Sequence, residues 1–207
     1  MKSGAMKSRV GLVAVSALGG GLFGLATSLI PSPSGVGVLW VGNLASPWLA
    51  LAFLCGWACG WAQRSRLWAS ASGVAAEVAC VVGFYGRFLL VDQHPGPRGQ
   101  HTALPARVSD NLGQWLVFIA PWVLAALAAG TAYGLIGHLW GRGRRLPAGL
   151  ALGMPFLAEP WVWREALGYD QGSWLLCAAE TAVGVAIVLA VLAAWRRASR
   201  APSPHTA

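Results

Sequence analysis

Eleven of the fifteen Lys and Arg residues stand in four short segments: Lys2, Lys7 and Arg9; Arg64 and Arg66; Arg142, Arg144 and Arg145; Arg196, Arg197 and Arg200. None of the seven acidic residues falls inside any of these segments, and long apolar runs separate them. Loops at the inner face of a membrane retain Lys and Arg because translocating these charges is unfavourable. A chain patterned in this way is expected to cross a membrane repeatedly, with its basic segments on one side.

Composition points the same way. With 56% hydrophobic residues, 11% charged residues and a mean hydropathy of +0.57, the chain has more apolar surface than a water-soluble fold of 207 residues can bury. A net charge of +8 would suggest nucleic acid in a soluble protein, but here the charge is shared among loops on one side. It is read as topology plus contact with anionic lipid headgroups, with no nucleic-acid partner. Cys55, Cys59, Cys80 and Cys177 all lie in apolar helical stretches, where a thiol acts as a small hydrophobe. Neither a disulfide framework nor a zinc site is indicated.

A spanning helix needs roughly 20 apolar residues. Six runs qualify, approximately Val10–Ile30, Leu44–Ala62, Leu67–Val91, Leu112–Trp140, Leu146–Trp163 and Ser173–Trp195. The expected fold is therefore all-α: a polytopic bundle of about six transmembrane helices in one domain over residues 1–200, multi-pass in the cell membrane, with both termini cytoplasmic. Residues 201–207 are expected to be a disordered tail. The first run exceeds the usual core of a signal peptide and is read as a span. Pro31 to Gly35 reads as a turn. The one long connection, Asp92 to Asn111 with His94 and His101, reads as a partly ordered outer flap. Pro155 should kink the fifth span, because it removes a backbone hydrogen bond. Trp61, Trp68, Trp140 and Trp195 fall at inner span ends, and Trp40, Trp48, Trp115, Trp161, Trp163 and Trp174 at or near outer ones, as interfacial belts require. His138, beside Trp140, is expected at the interface. Gly19, Gly20, Gly21 and Gly24 lack any nucleotide-binding context and are read as a surface for close helix packing.

A carboxylate in hydrocarbon is costly, so intramembrane acids are the first candidates for chemistry. Glu77 falls near the middle of the third span and Glu180 about 10 Å inside the last, at 1.5 Å per residue. No Lys or Arg lies within a helical turn of either, so each is expected to be uncharged. Glu159 lies near the outer end of the fifth span, with Glu165 and Asp170 beyond it. On a helical wheel Glu77 shares a face with Val81, Phe84 and Phe88, flanked by Tyr85. Trp57 and Trp122 lie deeper than a belt requires, and Trp161 and Trp163 are clustered. An uncharged acid among electron-rich rings suits a reaction through carbocations: a proton donor, then π faces that stabilise the migrating charge while water is excluded. No aspartate-rich motif is present to hold magnesium, and no cofactor is expected. The same residues have a plainer reading as hydrogen-bonding and packing groups between helices.

Asn43, Pro47-Trp48-Leu49, the following Ala50 to Phe53, Gly83-Phe84-Tyr85, Glu165-Ala166-Leu167 and Glu180 together resemble a family of small actinobacterial membrane proteins of unknown function. The chain is also similar to the small bacterial integral-membrane terpene cyclases of drimentine-type pathways. That resemblance implies metal-independent, acid-initiated cyclisation of a prenyl chain on a larger scaffold, with an intramembrane Glu as proton donor. Glu77, Glu159, Glu165 and Glu180 are the residues that can receive this role. Trp57, Phe84, Tyr85, Phe88, Trp122, Trp161 and Trp163 would line the site for a prenylated small molecule arriving from the bilayer. A small-solute or proton-coupled transporter, using the same acids as its coupling site, is the second reading.

Overall fold

The computed structural model describes residues 2–30, 44–90, 104–167 and 174–200. These form six α-helices: α1 (Lys2–Ser28), α2 (Ala45–Gln63), α3 (Arg66–Leu90), α4 (Leu104–Gly141), α5 (Arg145–Leu167) and α6 (Trp174–Arg200). Five of them, all but α5, are long and apolar enough to cross a membrane. Their outer surface suits lipid: Val15 is 67% exposed, Leu124 67% and Val117 78%. The turn after Pro31, most of the connection carrying His94 and His101, and the 201–207 tail lie outside the described residues. The expected flap is shorter than read, because α4 begins at Leu104 with Pro105 in its first turn. Proline fits there because its missing N–H would have had no intrahelical partner.

Neighbouring helices alternate in direction. Gly20 meets Ala76 and Gly24 meets Cys80, so α1 and α3 run parallel; Gly56 meets Gly134 and Gly60 meets His138, so α2 and α4 do too. Contacts of Ala69 with Gly134 and of Tyr85 with Trp115 make α3 antiparallel to α4. Gly149 against Val191 and Gly153 against Val188 do the same for α5 and α6. The four basic segments therefore gather at one end of the bundle. There Arg9 Nε donates to Gln63 Oε1 at 3.2 Å, joining the start of α1 to the end of α2.

Glycine makes these interfaces close. A Cβ added at Gly20 or Gly24 would overlap the Ala76 or Cys80 carbonyl, and one at Gly83 would overlap that of Gly21. Small residues four apart let two backbones approach, and in lipid this packing supplies much of the association energy. The expected packing role of the first-span glycines holds for Gly20, Gly21 and Gly24, whereas Gly19 faces open space. The same device recurs at Gly56 and Gly60 in α2 and at Gly130, Gly134 and Gly137 in α4. α1 to α4 thus form a tightly joined core, and α5 with α6 forms a hairpin laid against it.

Pro155 does not end α5, which continues through both Pro155 and Pro160. The amide that Pro155 lacks would have bonded the Ala151 carbonyl, and Tyr133 Oη of α4 donates to that oxygen at 3.2 Å instead. His138, four residues before Arg142, is 3% exposed and packed against Gly60. Trp48 and Trp115 are partly buried: Trp48 stacks edge-on to Phe84, and Trp115 Nε1 donates to the Tyr85 carbonyl at 2.8 Å.

Two neighbouring glycines offer a matched test. Gly20→Leu should destabilise the protein by about 1–3 kcal/mol or more, as overpacking against backbone does, while Gly19→Leu should be nearly neutral. Thermal melting of the two variants in detergent would show equal midpoints if α1 did not pack on α3 through this face.

Candidate functional site

The buried acids occupy two separate places. Glu159 and Glu180 come together, 8% and 6% exposed, where α5 and α6 meet the start of α2. α2 begins with Leu44 as its cap residue, and no side chain of its own caps it. A helix start leaves backbone N–H groups without intrahelical partners and carries a partial positive charge. Glu159 answers both: Ala45 N donates to its Oε1 at 2.6 Å and Ser46 N to its Oε2 at 2.8 Å, and the Ser46 hydroxyl also donates to Oε2. The next residue, Pro47, has no N–H to satisfy. One carboxylate from α5 thereby completes the first turn of α2, a helix more than a hundred residues away in sequence.

The Glu180 carboxyl from α6 reaches both Glu159 and Ser46. Ionised carboxylates are acceptors only, so a hydrogen bond between two of them requires one proton. Glu159 already accepts from three donors on α2, which suits the anion. The proton then belongs on Glu180, whose Oε1 is buried without a hydrogen-bond partner among the described residues. The arrangement is an acid–carboxylate pair that binds one proton at a helix start.

Glu77 stands apart. It is 4% exposed, with Oε1 lacking a hydrogen-bond partner among the described residues, and its polar neighbours are Cys55 of α2 and Cys80 of α3. The Cys55 thiol in turn hydrogen-bonds Ser16 of α1. Cys55 lies nine residues beyond Ser46 on α2, on the order of 13 Å along the axis, so Glu77 and the Glu159–Glu180 pair do not share a chamber.

The aromatic rings form a third group. Phe84 and Tyr85 of α3 meet Trp48 of α2 and Phe118 and Trp122 of α4, with ring centroids 4.9 Å apart for Phe84–Tyr85, 5.4 Å for Trp48–Phe84 and Tyr85–Phe118, and 6.0 Å for the stacked Tyr85–Trp122 pair. Val81 and Ile119 complete the cluster. Tyr85 lies eight residues along α3 from Glu77, about 12 Å of helix rise. The rings are instead level with the acid pair, because Trp48 follows Ser46 by two residues. That spacing puts Ser46 and Trp48 about 200° apart around α2, one turned toward α5 and α6 and the other toward α3 and α4.

The remaining sequence candidates scatter. Trp57, 40% exposed, packs near Gly141 toward the basic end, away from both acid sites. Trp161 is 57% exposed on α5. Phe88, Trp163 and Glu165 lie on α3 and α5, but their side chains fall outside the described residues. Sequence reasoning missed Ser46. The signal was present: Pro47 marks a helix start, Leu44 cannot cap it, and such a start in lipid needs an anion from elsewhere.

Residues 3–98 match the model of a family described as "Family of unknown function (DUF6518)". This stretch contains Ser46, the ring residues of α2 and α3, and Glu77, but not Glu159 or Glu180. No curated protein and no solved structure matches the chain.

If Glu159 caps α2 as described, Glu159→Gln should lower stability by about 2 kcal/mol and Ser46→Ala by about 1 kcal/mol. The double variant should be less destabilised than the sum, because the two share one hydrogen bond. Strict additivity in detergent melting curves would show that the contact contributes nothing.

Proposed function

We propose that the protein is an integral-membrane terpene cyclase of the cell membrane, performing metal-independent, proton-initiated cyclisation of a farnesyl-like chain on a small-molecule scaffold. In this reading all six helices span, with α5 completing the bundle between α4 and α6. The basic end, including the start of α1 and the end of α6, faces the cytoplasm, in keeping with retention of Lys and Arg on that side. The observation that carries the reading is the buried acid–carboxylate pair on the first turn of α2; the aromatic cluster lies at the same level on the other face of that helix.

Glu180 is the group that can release a proton, since Glu159 is committed to the α2 amides. Transfer of that proton to a terminal alkene forms a C–H bond and leaves a tertiary cation, while Glu180 becomes a carboxylate. Attack by the next alkene closes a ring and moves the charge along the chain. Loss of a proton from the last cation to a carboxylate or water balances the reaction as an isomerisation. The substrate is a prenylated small molecule drawn from the bilayer. The resemblance to drimentine-type cyclases, diffuse over most of the chain, supports this substrate class.

A second reading, a proton-coupled transporter, draws on the same pair: it joins the α5–α6 hairpin to the core, so its proton could govern the hairpin's position. The two readings separate by readout.

A membrane-fraction assay with a farnesylated indole substrate tests the enzyme. Glu180→Gln, at unchanged protein level, should lose cyclised product by about 10²-fold or more, the usual range for removing a general acid. Glu77→Gln should have the smaller effect. Full turnover in both variants overturns the cyclase assignment, and proton-gradient-dependent flux abolished by Glu180→Gln in proteoliposomes would establish the transporter instead.

A further inference from the structure

An apolar groove of about 470 Å³ runs along the outside of the bundle between α1 and α3, with Val108 of α4 at one end. Its walls are Leu18, Leu22 and Leu25 on one side and Val82, Leu89 and Leu90 on the other. The floor is low because Gly21, Gly83 and Gly86 carry no side chain. Gly83 has a packing reason to be bare, since a Cβ there would overlap the Gly21 carbonyl, whereas a Cβ at Gly86 would meet nothing within 4 Å. From Ala17 to Leu25 the groove extends about 12 Å, close to the ~15 Å depth of hydrocarbon in one leaflet.

One charged side chain lines the groove. Arg87 is exposed beside its end, where Nη1 donates to the Ser28 carbonyl at 2.6 Å and fixes the guanidinium at the last turn of α1. The planar fork has five N–H donors and suits phosphate geometry. Its height matches a headgroup, since α1 ends at Ser28 and α3 at Leu90. A second copy of the chain is a poorer complement. Every acid whose side chain is described, Glu77, Glu159 and Glu180, is buried, so no described carboxylate on a neighbour could meet Arg87.

We propose that this groove is a binding site for one anionic phospholipid, with an acyl chain laid between α1 and α3 and the headgroup phosphate on Arg87. The site is independent of the acid pair, on the opposite side of the core. Its shape gives continuous van der Waals contact to a linear chain, the interaction that distinguishes a bound lipid from bulk lipid where no hydrophobic gain is available.

The test uses full-length protein in nanodiscs containing phosphatidylglycerol or phosphatidylcholine that carries a photoreactive acyl chain, with labelled sites mapped by peptide mass spectrometry. Label from phosphatidylglycerol should concentrate on residues 17–25 and 82–90. Gly86→Phe fills open space and should reduce that label by about fivefold or more, through lost contact along the groove. Arg87→Gln should remove the preference for phosphatidylglycerol over phosphatidylcholine. Leu18→Trp, at an exposed position on the facing wall, repeats the blocking test should Gly86→Phe fail to fold. Uniform labelling over all lipid-facing helices, or labelling unchanged in a folded groove-filling variant, overturns the proposal, as does headgroup preference that survives Arg87→Gln.

Discussion

Hydrocarbon offers no hydrogen bonds, so every backbone polar group that a helix leaves open within the bilayer must be met from inside the protein. In this chain two such groups are met across an interface. The uncapped start of α2 is met by Glu159 of α5. The Ala151 carbonyl, left open by Pro155, is met by Tyr133 of α4. Each defect in one helix thus becomes a bond to another, and both bonds attach the α5–α6 hairpin to the four-helix core. Packing alone would attach it less specifically, since no driving force from water distinguishes one apolar helix surface from another in lipid.

Within the core the logic is different. α1, α2, α3 and α4 approach through glycine, with Gly24 against Cys80, Gly56 against Gly134 and Gly73 against Gly130. Backbones this close exclude cavities and bring buried polar side chains into narrow places. Glu77, Cys55 and Ser16 meet in one of them, drawn from three helices. The packing that makes the core rigid therefore also separates Glu77 from the rings two turns away.

Helix positions were legible in the sequence because apolar runs bounded by Arg clusters leave little latitude: Leu44–Ala62 was read and Ala45–Gln63 found, Leu67–Val91 read and Arg66–Leu90 found. The start of α4 was not, since His101 to Val108 is too polar to register as a span, although Pro105 is a helix-start residue. Side-chain partnership was less legible still. A wheel places Glu77 and Phe84 on one face, but a face about 10 Å long can serve two neighbours, and here it does. Glu159 and Glu180 were both visible as acids near an outer end; nothing in either local sequence says that they meet, because their common partner is a serine 113 residues from Glu159.

Three buried acids in one small bundle thus have three environments, and the donors around each determine its use. Glu159 accepts from three donors of one helix turn and organises the start of α2. Glu77 has no hydrogen-bond partner at Oε1 among the described residues and sits between thiols, a setting that accommodates a neutral carboxyl and little else. Glu180 is intermediate: it reaches Glu159 and Ser46, and its Oε1 has no hydrogen-bond partner among the described residues. In the proposed function Glu180 is the group that gives up a proton and takes it back, so that chemistry centres on α6 and depends on α5 remaining bound to the start of α2.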